Sequence, residues 1–109
     1  MIVLTRDLKV ITNGGEVVVP VQVYRPVDEG DHWRCWYDIG WPENPRSSYA
    51  AGIDSVQSLL LALQKIGAEL YTSDAHRSGK LIWLERGVGY GFPVPTSIQD
   101  LYEGDDKLL

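Results

Sequence analysis

The chain has 109 residues, which suits one domain, and its 44% hydrophobic content supports a core without disulfides or metals. A net charge of −5 with no basic patch argues against phosphate-driven binding of nucleic acid. The single cysteine, Cys35, rules out an internal disulfide and fits a reducing cytoplasm; the first ten residues lack a signal-peptide pattern, and no run of about 18 apolar residues is present to span a membrane.

Residues 2–11 are rich in β-branched side chains and read as a first strand. Asn13, Gly14 and Gly15 follow, a hairpin signal because Asn and Gly tolerate positive φ. Residues 16–25 alternate, with Val17, Val19, Val21 and Val23 on one face and Val18, Pro20, Gln22 and Tyr24 on the other. Pro20 has no N–H to donate, which predicts an edge segment or a bulge there. Residues 26–31 read as an acidic loop, and residues 32–41 as a third strand. Trp33, Cys35, Tyr37, Ile39 and Trp41 share one face of that strand, and His32, Arg34, Trp36 and Asp38 share the other. After a Pro-rich turn, residues 47–51 form a short returning strand.

Residues 54–71 read as the one long helix. Asp54 and Gln57 have capping-box spacing, and Ile53 stands where a hydrophobic staple begins. Val56, Leu59, Leu60, Leu63, Ile66, Leu70 and Tyr71 recur at three and four, one stripe to bury against a sheet. Gly67 lies within the stripe, and its presence predicts close approach of helix to sheet, since Gly mid-helix costs roughly 1 kcal/mol against Ala. Residues 72–79 read as a polar loop and 80–86 as a last strand. Three glycines and two prolines in residues 87–95 argue against regular structure. Residues 100–109 are acidic, and the end, from about 103, is expected to fray. The whole is one α+β domain over 1–109: an antiparallel sheet of four or five strands with one helix on one face, in the order β-β-β-(β)-α-β.

Four stretches carry a family likeness: Asp31-His32-Trp33-Arg34-Cys35, then Gly52-Ile53-Asp54-Ser55-Val56-Gln57-Ser58-Leu59, then Ile66-Gly67-Ala68-Glu69-Leu70-Tyr71, and Gly91-Phe92-Pro93. In order and spacing the chain resembles a small bacterial domain family of unknown function. That resemblance implies no activity, substrate, cofactor or catalytic residue.

The residues themselves offer little chemistry. Cys35 and His32 are three apart on a strand and so face opposite ways, which makes Cys35 a buried structural thiol. One Cys with His32 and His76 at unrelated spacings is no metal pattern. Asp54 is explained by capping. The segment 87–95 lacks the Lys-Ser/Thr pair of a phosphate loop. No cofactor is expected. The informative residues are aromatic and acidic. Trp36 and Tyr24 fall on the sheet face that a single helix leaves open, unless Tyr90, Phe92 and Tyr102 fold over them. Asp28, Glu29 and Asp31 form a solvated acidic loop or meet a basic partner, as do Glu103, Asp105 and Asp106. These features point to a non-catalytic cytoplasmic protein-binding module, such as an immunity-type protein, a phage inhibitor or an adaptor, with a protein partner or a homodimer. The alternative is a small enzyme or small-molecule-binding domain with a pocket near the Gly-rich loop.

Overall fold

The structure, a computed structural model, describes residues 1–95. The acidic tail, with Tyr102, Glu103, Asp105 and Asp106, lies outside the described residues. Strands β1 (Ile2–Thr12) and β2 (Gly15–Tyr24) form an antiparallel hairpin whose turn falls on Asn13 and Gly14. The acidic loop contains a two-residue strand, β3 (Val27–Asp28). Then come β4 (Trp33–Ile39), β5 (Arg46–Gly52), helix α1 (Ser55–Tyr71), a short helix α2 (Asp74–Arg77) and β6 (Leu81–Ile82). The six strands make one antiparallel sheet, β3 being the addition to the expected set. The sheet runs from β5 through β4, β2 and β1 to β6, with β3 beside β2 on the same edge of β4. β2 pairs with β4 at Val21, Gln22 and Val23, and just past them the Gly40 N–H donates to the Pro20 carbonyl at 2.8 Å, so Pro20 stands at the end of that ladder, where a missing N–H costs one terminal bond.

The structure departs from the expected elements in three further places. The loop over 72–79 contains α2, because Ser73 caps it by accepting from the His76 N–H at 3.2 Å. The last strand is two residues long, because the chain leaves β1 at a tight turn after Ile82. Ile53 is 81% exposed and makes no staple; the residue opposite it, Ser58, is not apolar.

The inner face of the sheet carries Leu8, Val19, Val21, Val23, Cys35, Tyr37, Ile39 and Ala50, all buried. Helix α1 lies across this face, capped by Asp54, whose side chain accepts from the Gln57 N–H at 2.8 Å. Its buried residues are Ser58, Ala62, Ile66, Gly67, Leu70 and Tyr71. Val56, at 71% exposure, and Leu60, at 47%, are outside the core, so the buried stripe is rotated from the one that the large apolar residues trace. Small side chains at Ser58 and Ala62 let the backbone of α1 approach the sheet. The Ser58 hydroxyl is satisfied within the helix by donating to the Ser55 carbonyl at 3.1 Å.

Gly67 does serve close packing, but against a different partner. A Cβ there would stand 2.4 Å from Val94 Cγ1 and 2.8 Å from the Pro93 carbonyl. The segment from Gly91 to Pro95 is a strap that crosses the helix at this glycine. Its start is held by Arg6, whose guanidinium donates to the carbonyls of Tyr90 (3.2 Å) and Gly91 (2.9 Å) and stacks on Trp83, 4.0 Å from the ring centre. Phe92 and Tyr90 are therefore buried on the helix side, and neither covers the open face.

Candidate interaction surface

Alternation along β4 places Arg34, Trp36 and Asp38 on the sheet face away from α1. Across the ladder, Trp36 pairs with Tyr49 of β5, and the two rings lie 4.8 Å apart between centres, tilted by 49°. The Arg34 guanidinium lies 4.3 Å from the centre of the Tyr49 ring. Trp36 is 39% exposed and Tyr49 is 37% exposed. Tyr24, on β2, donates its hydroxyl to Asp38 on the neighbouring strand. That bond raises the Tyr24 phenol above its ordinary value, since a carboxylate acceptor favours the protonated form.

The acidic loop borders this cluster. Asp28 accepts from the Gly30 N–H at 2.9 Å, and the Glu29 N–H bonds the His32 carbonyl at 2.9 Å, which fixes the loop's shape. Asp31 and the His32 ring are 2.6 Å apart, and this hydrogen bond lowers the Asp31 carboxyl below its usual range. Glu29 approaches Arg34 Nε to 3.9 Å, an ion pair longer than a hydrogen bond. Arg34 Nε itself is buried and has no hydrogen-bond partner among the described residues. Tyr24 and Trp36 thus lie on the open face and Glu29 reaches toward Arg34 there, whereas Asp28, opposite Trp33 in the ladder, lies on the helix side of the sheet, and Asp31 sits at the exposed tip of the loop between β3 and β4. Sequence reading missed Tyr49 as a member. The signal was the pairing of residues 47–51 with β4, but its register is invisible before the Pro-rich turn is built.

Of the other polar groups, Asp7, Lys9, Glu16, Glu85 and Arg86 line an open hollow of about 440 Å³ beside β6, where Lys9 pairs with Glu16 at 3.2 Å. Beneath α1, the Tyr37 hydroxyl donates to Glu69, and Arg46 Nε donates to the same carboxylate at 2.7 Å. Burial first, and the bond to Glu69 second, push the Tyr37 phenol well up. The Cys35 thiol is buried, donates to the Tyr24 carbonyl at 3.4 Å, and is pushed up by desolvation. His32 lies in the acidic loop. His76 stands on α2 against the rings of Tyr71 and Tyr90. Asp38, His32 and His76 are not brought together. Among the described residues no group of three His, Cys, Asp or Glu is placed to hold a metal ion, and no helix is long and apolar enough to cross a membrane. Beside the Gly-rich segment an open apolar groove of about 200 Å³ lies between β1 and α1, walled by Leu4, Val21, Val23, Leu63, Phe92 and Pro93.

Nothing among the curated proteins or the solved structures matches the chain. The family model described as a domain of unknown function, DUF6968, does match, over residues 4–94, and the chain belongs to that family.

Proposed function

We propose that this protein is a non-catalytic module that binds a basic protein partner through the open face of its sheet. The observation that carries the reading is the contiguous, half-exposed cluster of Arg34, Trp36 and Tyr49 on a face that neither α1 nor the strap covers. Trp, Tyr and Arg are the residue types that dominate interface energetics, and rigid aromatics lose little entropy on binding. Glu29, which reaches toward Arg34, and the exposed Asp31 set acidic charge beside the cluster, and Asp28 adds to it from the helix side of β3; this charge favours a cationic partner and speeds encounter. Immunity-type neutralisation, inhibition by a phage protein and adaptor function are all uses of such a surface.

The test is capture from the native host with wild type and with Trp36→Ser as paired baits. A basic protein retained by wild type, lost with Trp36→Ser and weakened by salt supports the reading. A partner retained equally by both baits sinks it. The small-molecule alternative has one observation in its favour, the groove beside the Gly-rich segment. The polar side chains lining that groove are Thr5 and Arg6, and the Arg6 guanidinium is engaged with the carbonyls of Tyr90 and Gly91, which ranks this reading second.

A further inference from the structure

The two edges of the sheet are treated differently. On β5, the Lys65 ammonium reaches over from α1 and donates to the Tyr49 carbonyl at 2.6 Å, placing a charge on that edge. A lysine there guards a strand edge against pairing with another chain. On β1, pairing with β6 covers only Lys9 and Val10, with the Ile11 N–H donating to the Lys80 carbonyl at 2.9 Å. The N–H and C=O of Ile11 therefore face the edge, and by the two-residue period so do those of Asp7 and Thr5.

Continuing β6 past Ile82 would have covered them. Instead the chain turns at Leu84, whose φ is +61°, with the Glu85 N–H donating to the Trp83 carbonyl at 2.7 Å. This is a γ-turn of positive φ, a strained conformation for a residue with a branched side chain. Leu84 is 82% exposed, so burial does not compensate the strain. What the turn achieves is a β1 edge that no strand among the described residues pairs with from Val3 to Asp7, where Val3, Thr5 and Asp7 are all exposed. Alongside it, on the inner face, Leu4 borders the open apolar groove.

We infer that this edge pairs antiparallel with the same edge of a second copy, forming a two-fold dimer with one continuous sheet. The register follows from the local chemistry. Inner residues must face inner residues, so the sequence numbers of paired residues sum to an even number. With Thr5 opposite Thr5 on the two-fold axis, Leu4 faces Arg6 and Val3 faces Asp7. Like charges never oppose each other, and a cross-strand Thr pair is favourable. The register shift between Ile2 and Leu4 ends regular pairing at Val3, before the second copy reaches Lys9, whose edge β6 already holds. On the inner face, the Leu4 of each copy lies beside the other's groove, adding apolar contact to the backbone ladder. Such a contact is closed, since each copy consumes the other's free edge.

Sedimentation equilibrium over a range of concentrations reads the outcome. The wild type shows twice the chain mass at the upper concentrations. Thr5→Asp and Thr5→Lys, each on the exposed face of β1, are monomers alone, because like charges then meet on the axis. An equimolar mixture of the two variants recovers the dimer, because opposite charges now meet there. A wild type that stays monomeric, a Thr5→Asp variant that dimerises like wild type, or a mixture that fails to reassociate overturns the inference. Circular dichroism checks that both variants keep the fold, and Thr5→Pro, which removes an edge-facing N–H, is expected to give the same loss without a charge. Partner capture through Trp36 is unaffected by these changes, so the two readings stand or fall separately.

Discussion

Cys35 and Trp36 are neighbours in sequence and belong to different environments. Cys35, with Tyr37 and Ile39, lies under α1 with no solvent exposure, while Trp36 sits among Arg34 and Tyr49 in partial contact with water. The two faces of one strand thus show what a single helix accomplishes: it converts one side of a sheet into a core and leaves the other as a surface. The covered side is built mostly from aliphatic residues whose shapes interlock. The open side concentrates large amphipathic side chains, which tolerate water and still offer area to a partner.

The sharpest way to break this contrast is to truncate equivalent residues on the two faces of adjacent strands. Leu8→Ala removes a fully buried side chain and should destabilise by about 2–5 kcal/mol in urea melts. Val18→Ala, on the open face, should stay within about 0.5 kcal/mol. Equal losses would mean that the open face is covered in solution.

A smaller effect sharpens the outer boundary of the core. Gly67→Leu drives a side chain into Val94 and the Pro93 carbonyl and should cost about 1–3 kcal/mol. Leu60→Glu, on the exposed side of the same helix, is the control and should leave the midpoint nearly unchanged. A neutral Gly67→Leu would show that the strap does not lie on α1.

The smallest effect tests the polar seam between sheet and helix. Tyr37→Phe removes the hydrogen bond to Glu69 and should cost roughly 1–2 kcal/mol at neutral pH. The Tyr37 phenol is raised in the fold above its ordinary value of 10.0, by burial and then by Glu69. A raised folded value gives stability that is complete below the unfolded value and falls as pH rises through it toward the folded one. Wild type should therefore lose stability above about pH 10, and Tyr37→Phe should lose less over the same range. Parallel slopes for the two proteins would remove Tyr37 from that account.

The strand faces were legible because alternation is a local signal: Val17 to Val23 and Trp33 to Ile39 sort correctly from the sequence. The helix start was legible for the same reason, since Asp54 and Gln57 lie within one turn. Gln57 departs in one detail, accepting from the Ile53 N–H at 2.8 Å instead of that of Asp54. The rotation of α1 was not legible. Large apolar residues marked Val56 and Leu60 as core, whereas the sheet is approached through Ser58 and Ala62, where small size matters more than hydrophobicity. The strap was not legible either. Its anchor is the contact of Arg6 with Gly91, and nothing in either residue's neighbours announces the other. Of the candidate interaction surface, Tyr24, Trp36 and the acidic loop were marked by parity and charge, while Tyr49 joined only through its register with β4.

The Arg6–Gly91 contact also bears on the order in which the chain is made. It joins positions 85 apart in sequence. During synthesis, β1 and its hairpin partner emerge early, and α1 follows, but the strap that locks the helix at Gly67 emerges after both. Loop closure over such a separation is slow and entropically costly. A nascent chain shortened before Phe92 lacks the segment that crosses the helix at Gly67. The strap acts as a latch, and the translating ribosome must deliver everything beneath it before the hydrophobic layer is sealed.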